Sequence, residues 1–150
     1  MGQLRFTYHN IDNPASSLLT IKLWDGDEIL GTIMVRKGEL LPPKAQAEPH
    51  TRCWQVAGVD IVEQHRRKGF ATKLYEEAAR IAGSNGLALC SDIPGALDPR
   101  AEAFWEKQVR KGRAKWEIPG GPENEDRNYD FGRYVLRHPP PEALGRRRTS

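Results

Sequence analysis

The chain has 150 residues, of which 38% are hydrophobic and 29% charged, with a formal net charge of +3. That size suits one domain with a real core, and the chain has no run of about 18 apolar residues that would cross a membrane. Met1-Gly2-Gln3-Leu4-Arg5 lacks the apolar stretch of a secretory signal, so a soluble cytoplasmic protein is expected.

Leu4 to Tyr8 alternates and predicts a first strand, closed by the turn signal Asp12-Asn13-Pro14. Leu18–Trp24 and Glu28–Arg36 are rich in β-formers and flank Asp25-Gly26-Asp27, which predicts a hairpin. Leu41 to His50 is Pro-rich and reads as a loop. Cys53 to Val62 is nearly continuous in apolar residues, as a strand covered on both faces would be, and Gly58 within it marks a bulge or a close approach. Gly69 to Ser84 carries Phe70, Ala71, Leu74, Ala78, Ile81 and Ala82 at helical spacing, with Lys73, Glu76, Glu77 and Arg80 opposite. Leu87–Cys90 predicts a short buried strand. Asp98-Pro99 is a helix start with its cap, and that second helix runs to about Gly112. Ala114–Ile118 and Tyr129–Leu136 predict two last strands. Residues 1–137 are expected to form the domain, and 138–150, with Pro-Pro-Pro and Arg-Arg-Arg, a disordered basic tail.

Cys53 and Cys90 lie in apolar stretches and read as buried free thiols. With His9, His50, His65 and His138 scattered among them, the spacing suits no metal site and none is expected.

Ile61 to Leu74 is where chemistry concentrates. A buried strand ends, the basic loop Arg66-Arg67-Lys68 follows, and a helix opens on Gly69. The first amides of a helix lack internal partners and sit at the positive end of its dipole. Small residues let an anion approach, so a pyrophosphate fits this place. There is no G-x-x-x-x-G-K-[ST] and no G-x-G-x-x-G, so neither a Walker loop nor a dinucleotide fingerprint is present.

Arg66-Arg67-Lys68-Gly69-Phe70-Ala71 resembles the central motif of the GNAT N-acetyltransferases, [QR]-x-x-G-x-[GA], at every fixed position. The resemblance extends over roughly Leu18 to Leu136. It implies an α/β fold of the α+β type, with a mixed and mostly antiparallel sheet around a strand–loop–helix acetyl-CoA site. It implies that the backbone of Arg66, Arg67, Lys68, Gly69, Phe70, Ala71 and Thr72 holds the pyrophosphate, and that Ile61 and Val62 pair with the pantetheine arm. The strand Leu87–Cys90 would splay away to open the cleft.

The sequence departs from the family pattern in two places. Asp98 stands where the family often has an Asn. Phe104-Trp105 stands where it has an aromatic-Tyr pair whose Tyr protonates the leaving thiolate. Trp105 can pack on the pantetheine or donate a hydrogen bond, but has no acidic proton. Tyr134 or Tyr129 could replace that hydroxyl, as could water. Asp60, Glu63 and Asp92 are the candidate bases for the acceptor amine, with Asp60, Asp92 and Tyr134 the leading catalytic candidates. The two helices that the family places between its first strands do not fit into Asn10–Ser17, so they are expected to be reduced or absent, leaving the acceptor site open or completed by the Pro-rich loop Leu41 to His50, by the tail, or by a second copy as a homodimer.

Three functions follow from these residues. The first is direct acetyl transfer from acetyl-CoA to an amine on a small molecule or protein. The second is a coenzyme A-binding module without turnover, which the absent Tyr would favour. The third, carried only by the Arg-rich tail, is nucleic-acid binding.

Overall fold

The first half of the chain folds as a meander because its β-formers come in three runs separated by turn residues. The computed structural model describes residues 3–11, 17–37, 53–91, 97–117 and 133–137. The runs become β1 (Leu4–His9), β2 (Leu18–Asp25) and β3 (Glu28–Arg36), each antiparallel to the next. The hairpin turn closes between Asp25 and Glu28, and Gly26 takes φ +60°, which a side chain would resist. No helix is interposed between β1 and β2 among the described residues, and the two strands pair directly from Leu4↔Asp25 to His9↔Thr20.

The strand β4 (Cys53–Ile61) pairs antiparallel with β3, and its register slips once. Met34 faces Gly58 and Val35 faces Val56, so Ala57 is the extra residue of a bulge beside the glycine that signalled it. A short 3-10 turn, Glu63–His65, leads to the helix α1 (Phe70–Ser84). From α1 the chain enters β5 (Ala88–Cys90), which runs parallel to β4, as a strand–helix–strand crossover allows. The helix α2 (Pro99–Arg110) follows, then β6 (Ala114–Glu117) and β7 (Arg133–Leu136). The strand order is β1-β2-β3-β4-β5-β7-β6, and β4–β5 is its one parallel pairing.

The core follows the periodicities. Leu19, Ile21 and Leu23 of β2 and Ile33 and Val35 of β3 point to the face on which α1 lays Leu74, Ala78, Ile81 and Ala82, all buried. Each of these leucine, isoleucine and valine side chains contributes about 1.5–3 kcal/mol on leaving water. Trp105 of α2 is fully buried in the same cluster. A smaller cluster holds Cys53, Ala88, Cys90 and Val135; the two cysteines form no disulfide, and their thiols lie 2.8 Å apart. The edge strand β1 is tied to α1 by Tyr8, whose hydroxyl donates to Glu77, and Glu77 is held by a two-pronged pair with Arg80 (2.8 and 2.7 Å).

The arrangement that matters for a site lies at β4. Its first residues pair with β5 through Cys53↔Ala88, Trp54↔Leu89 and Gln55↔Cys90. From Val56 onward no described strand takes up that side of β4, while β3 continues on the other. The sheet therefore opens into a cleft.

Candidate active site

The cleft is a cavity of about 750 Å³, within the range of cofactor pockets. One wall is β4 from Val56 to Ile61, the floor is the loop and first turn of α1, and the other wall is α2.

The loop is built by two left-handed residues. Arg67 takes φ +65° and Gly69, the N-cap of α1, takes φ +83°. A non-glycine residue in that region is strained by about 1–2 kcal/mol, and such strain gathers where backbone is being aimed at a ligand. A Cβ on Gly69 would meet no protein atom within 4 Å, so the space above it is free. The first bond of the helix runs from the Lys73 N–H to the Gly69 carbonyl (3.2 Å), no side chain caps the start, and no acidic residue lies in the first turn. The amides ahead of Lys73 are thus left to bind an anion. The loop is braced from outside: His65 Nε2 lies 2.8 Å from Glu28 Oε2, and Lys68 Nζ lies 3.5 Å from His65 Nδ1.

The side chains of the basic loop are less available than its backbone. Arg66 turns back and donates from Nε to the Ile61 carbonyl (3.2 Å). Arg66 and Arg67 line the cavity, as do Gly69, Phe70, Ala71 and Thr72, whereas Lys68 does not. Ile61 lines the cavity but its carbonyl is taken by Arg66. Val62 lies outside the cavity; its N–H donates to Leu30 and its carbonyl accepts from His65. The free stretch of β4 edge therefore sits further back, at Val56–Asp60, than the expected Ile61–Val62.

Asp60 is exposed and lines the cavity, and Glu63 joins it at the loop end. Asp98 lines it from α2, where its Oδ1 caps the helix by accepting from the Ala101 N–H (2.9 Å). Trp105 also lines it. Tyr134 does not; its ring stacks 6.0 Å behind Trp105, and burial, with Glu106 and Glu102 nearby, raises its hydroxyl pKa. Asp92 and Tyr129 lie outside the described residues, as do Leu41–His50 and the basic tail. Among the described residues no group of His, Cys, Asp and Glu is placed to hold a metal ion, and no helix is long and apolar enough to cross a membrane.

Arg100 and Tyr75 are among the cavity residues that were not anticipated. Arg100, in the first turn of α2, adds a cation to the wall. Tyr75 of α1 is only 2% exposed yet lines the cavity, its ring stacked on Phe104 at 3.7 Å and edge-on to Trp105 at 5.4 Å. In the sequence Tyr75 looks like one more apolar-face position of an amphipathic helix, and only the register of α2 over α1 shows where it points.

The family model of the Acetyltransferase (GNAT) family matches residues 2–109. The chain belongs to the GNAT acetyltransferases. As a member of that family it is an N-acetyltransferase. Solved structures agree on the fold. A ribosomal-protein-alanine N-acetyltransferase from Brucella melitensis biovar Abortus 2308 is 13% identical, with a TM-score of 0.53 over 70% of this chain and 90% of its own. A mutant of the toxin AtaT, with acetyl-CoA and the C-terminus of the antitoxin AtaR, is 13% identical with a TM-score of 0.54, covering 87% and 91%. The KacTA–DNA complex is 15% identical with a TM-score of 0.57, covering 98% and 99%. At these identities the likeness concerns the GNAT fold alone. No curated protein sequence matches the chain significantly.

Proposed function

We propose that the chain transfers an acetyl group from acetyl-CoA directly to an amine, with the cavity between β4 and α2 as the site. The observation that carries this reading is the cleft where β4 loses β5, with an uncapped helix start at its mouth. The pyrophosphate is held by backbone amides of Arg67 to Thr72, with Arg67 and Arg100 adding charge. The pantetheine arm takes the place of the missing strand neighbour along Val56–Asp60, pairing with backbone groups that β4 turns away from β3. The bulge at Ala57 leaves a backbone donor for the carbonyl oxygen as it gains charge.

The acceptor is an amine of a small molecule or a protein. It must lose a proton to attack, and Asp60, in the exposed part of β4, is the carboxylate placed to take it directly or through water. Direct transfer needs no thiol nucleophile, and Cys53 and Cys90 are buried in the small cluster away from the cavity lining. The similar structures include a ribosomal-protein-alanine N-acetyltransferase and a complex with DNA, so protein acceptors and nucleic-acid contacts merit inclusion in a screen.

The test is release of free thiol from acetyl-CoA with a panel of amines, polyamines and peptide N-termini. Acceptor-dependent release, lost in Gly69→Asp, is the expected result. Saturable acetyl-CoA binding without release for any acceptor would make the chain a coenzyme-binding module instead.

A further inference from the structure

The departure at position 105 leaves a chemical gap, and the structure shows what stands next to it. Trp105 fills the place where the family resemblance puts a Tyr, and its indole has no acidic proton. The expected substitute, Tyr134, lies behind that indole and does not reach the cavity lining. Among the lining residues the hydroxyl-bearing side chains are Thr72, in the anion-binding first turn, and Tyr75. Tyr75 stands five residues into α1, about 7.5 Å along the axis beyond the helix start. Its ring stacks on Phe104 and meets Trp105 edge-to-face, and those two rings also meet each other edge-to-face.

We propose, resting on the acetyl-CoA reading above, that Tyr75 supplies the cavity's hydroxyl to the coenzyme sulfur, hydrogen-bonding it as the thioester bond breaks. The amine nitrogen forms the new C–N bond with its lone pair, and the C–S bond breaks with its pair going to sulfur. The proton lost by the amine passes to Asp60 and solvent, and the thiolate departs with the Tyr75 O–H donated to it. A donor to a developing anion must itself stay protonated. Burial, chiefly, and the nearby Asp98 charge push the Tyr75 hydroxyl well above the usual tyrosine range, while the Trp105 indole offers it a hydrogen bond that acts the other way. Of the other charged groups around the cavity, His65 is paired with Glu28, Arg66 donates to the Ile61 carbonyl and Asp98 caps its helix, while Glu63, Arg67 and Arg100 also line it.

Phe104 and Trp105 on α2 thus pack on a phenol contributed by α1. The resulting specificity is for a thiol-bearing ligand, which makes the assignment testable without knowing the acceptor. The affinities of coenzyme A and of desulfo-coenzyme A are measured calorimetrically in the wild type and in Tyr75→Phe, at neutral pH and at about pH 9.5, where a larger share of the thiol is ionised. Hydrogen bonds to an anion are strong, so coenzyme A is expected to lose about tenfold or more in the variant at the higher pH, with desulfo-coenzyme A unchanged. In the wild type alone, the preference for coenzyme A over its desulfo analogue is expected to rise with pH. Equal losses for both ligands, no loss, or a wild-type preference that does not rise with pH overturns the assignment. If the wild type binds neither ligand, the coenzyme-site reading itself fails, which is a separate result. The phenylalanine keeps the stacked ring, and the wild-type pH series stands even if the variant does not fold.

Discussion

Arg67 and Gly69 show how single residues shape the anion site. Both hold the left-handed conformation, but only one is a glycine. Arg67→Gly is expected to relieve strain and raise stability by up to about 1 kcal/mol, the relief being partly offset by the greater freedom of the unfolded chain; urea unfolding checks it. Gly69→Asp does the reverse for binding. It forces a side chain into φ +83° and sets a carboxylate at the amides proposed to hold the pyrophosphate. Acetyl-CoA affinity is expected to fall at least tenfold while the fold persists, as calorimetry beside circular dichroism would show. The loop was legible in the sequence because its chemistry is local: a strand end, three basic residues and a glycine suffice to specify a helix start. Tyr75 was not legible, because its helical face is the same whether the neighbour across it is core or cavity.

At the scale of elements, the cavity wall depends on how closely β3 and β4 approach. A Cβ on Gly31 would lie 2.5 Å from Ile61 Cδ1, 3.0 Å from the Asp60 carbonyl oxygen and 3.2 Å from Leu74 Cδ1. Ile61 can turn, but the backbone at Asp60 cannot move without shifting the wall. Gly31→Ala is therefore expected to cost about 1–3 kcal/mol and to weaken coenzyme binding from a residue outside the cavity lining; paired unfolding and binding measurements test both. The order of strands and helices was readable because each run carries its own period and punctuation. Cys53–Ile61, Phe70–Ser84 and Pro99–Arg110 fall within a residue or two of where the apolar run, helical spacing and the Asp98-Pro99 cap put them. What periodicity does not encode is pairing. That β5 stops at Cys90 and leaves Val56–Asp60 unaccompanied is a tertiary outcome, and the free strand edge therefore lies at Val56–Asp60, ahead of Ile61 and Val62 in the chain.

For the whole molecule, alkaline pH offers a global readout. Tyr8, Tyr75 and Tyr134 all have their hydroxyl pKa raised by folding, with burial the first cause in each. A tyrosine harder to ionise when folded binds more protons in the native state above about pH 10, where the unfolded chain has begun to lose them. Their contribution to stability is complete below that pH and is lost as pH rises through the folded values. Tyr75, the one of the three that is almost fully buried, is expected to dominate. Urea midpoints between about pH 8 and 11 should fall in the wild type and fall less in Tyr75→Phe.

The unaccompanied edge of β4 also bears on how the molecule holds together when it is empty. A strand bonded on one side and solvated on the other is a seam, and a ligand that lies along it acts as a temporary eighth strand. Coenzyme would then be mortar as well as reagent. At about 100 times its dissociation constant it would add about 2.7 kcal/mol to the folded state. Amide hydrogens of Val56–Asp60 would exchange readily in the free protein and slowly in the complex, while those of β2, enclosed by β1 and β3, would hardly change. A cell poor in acetyl-CoA would thus hold this protein in a looser form as well as an idle one.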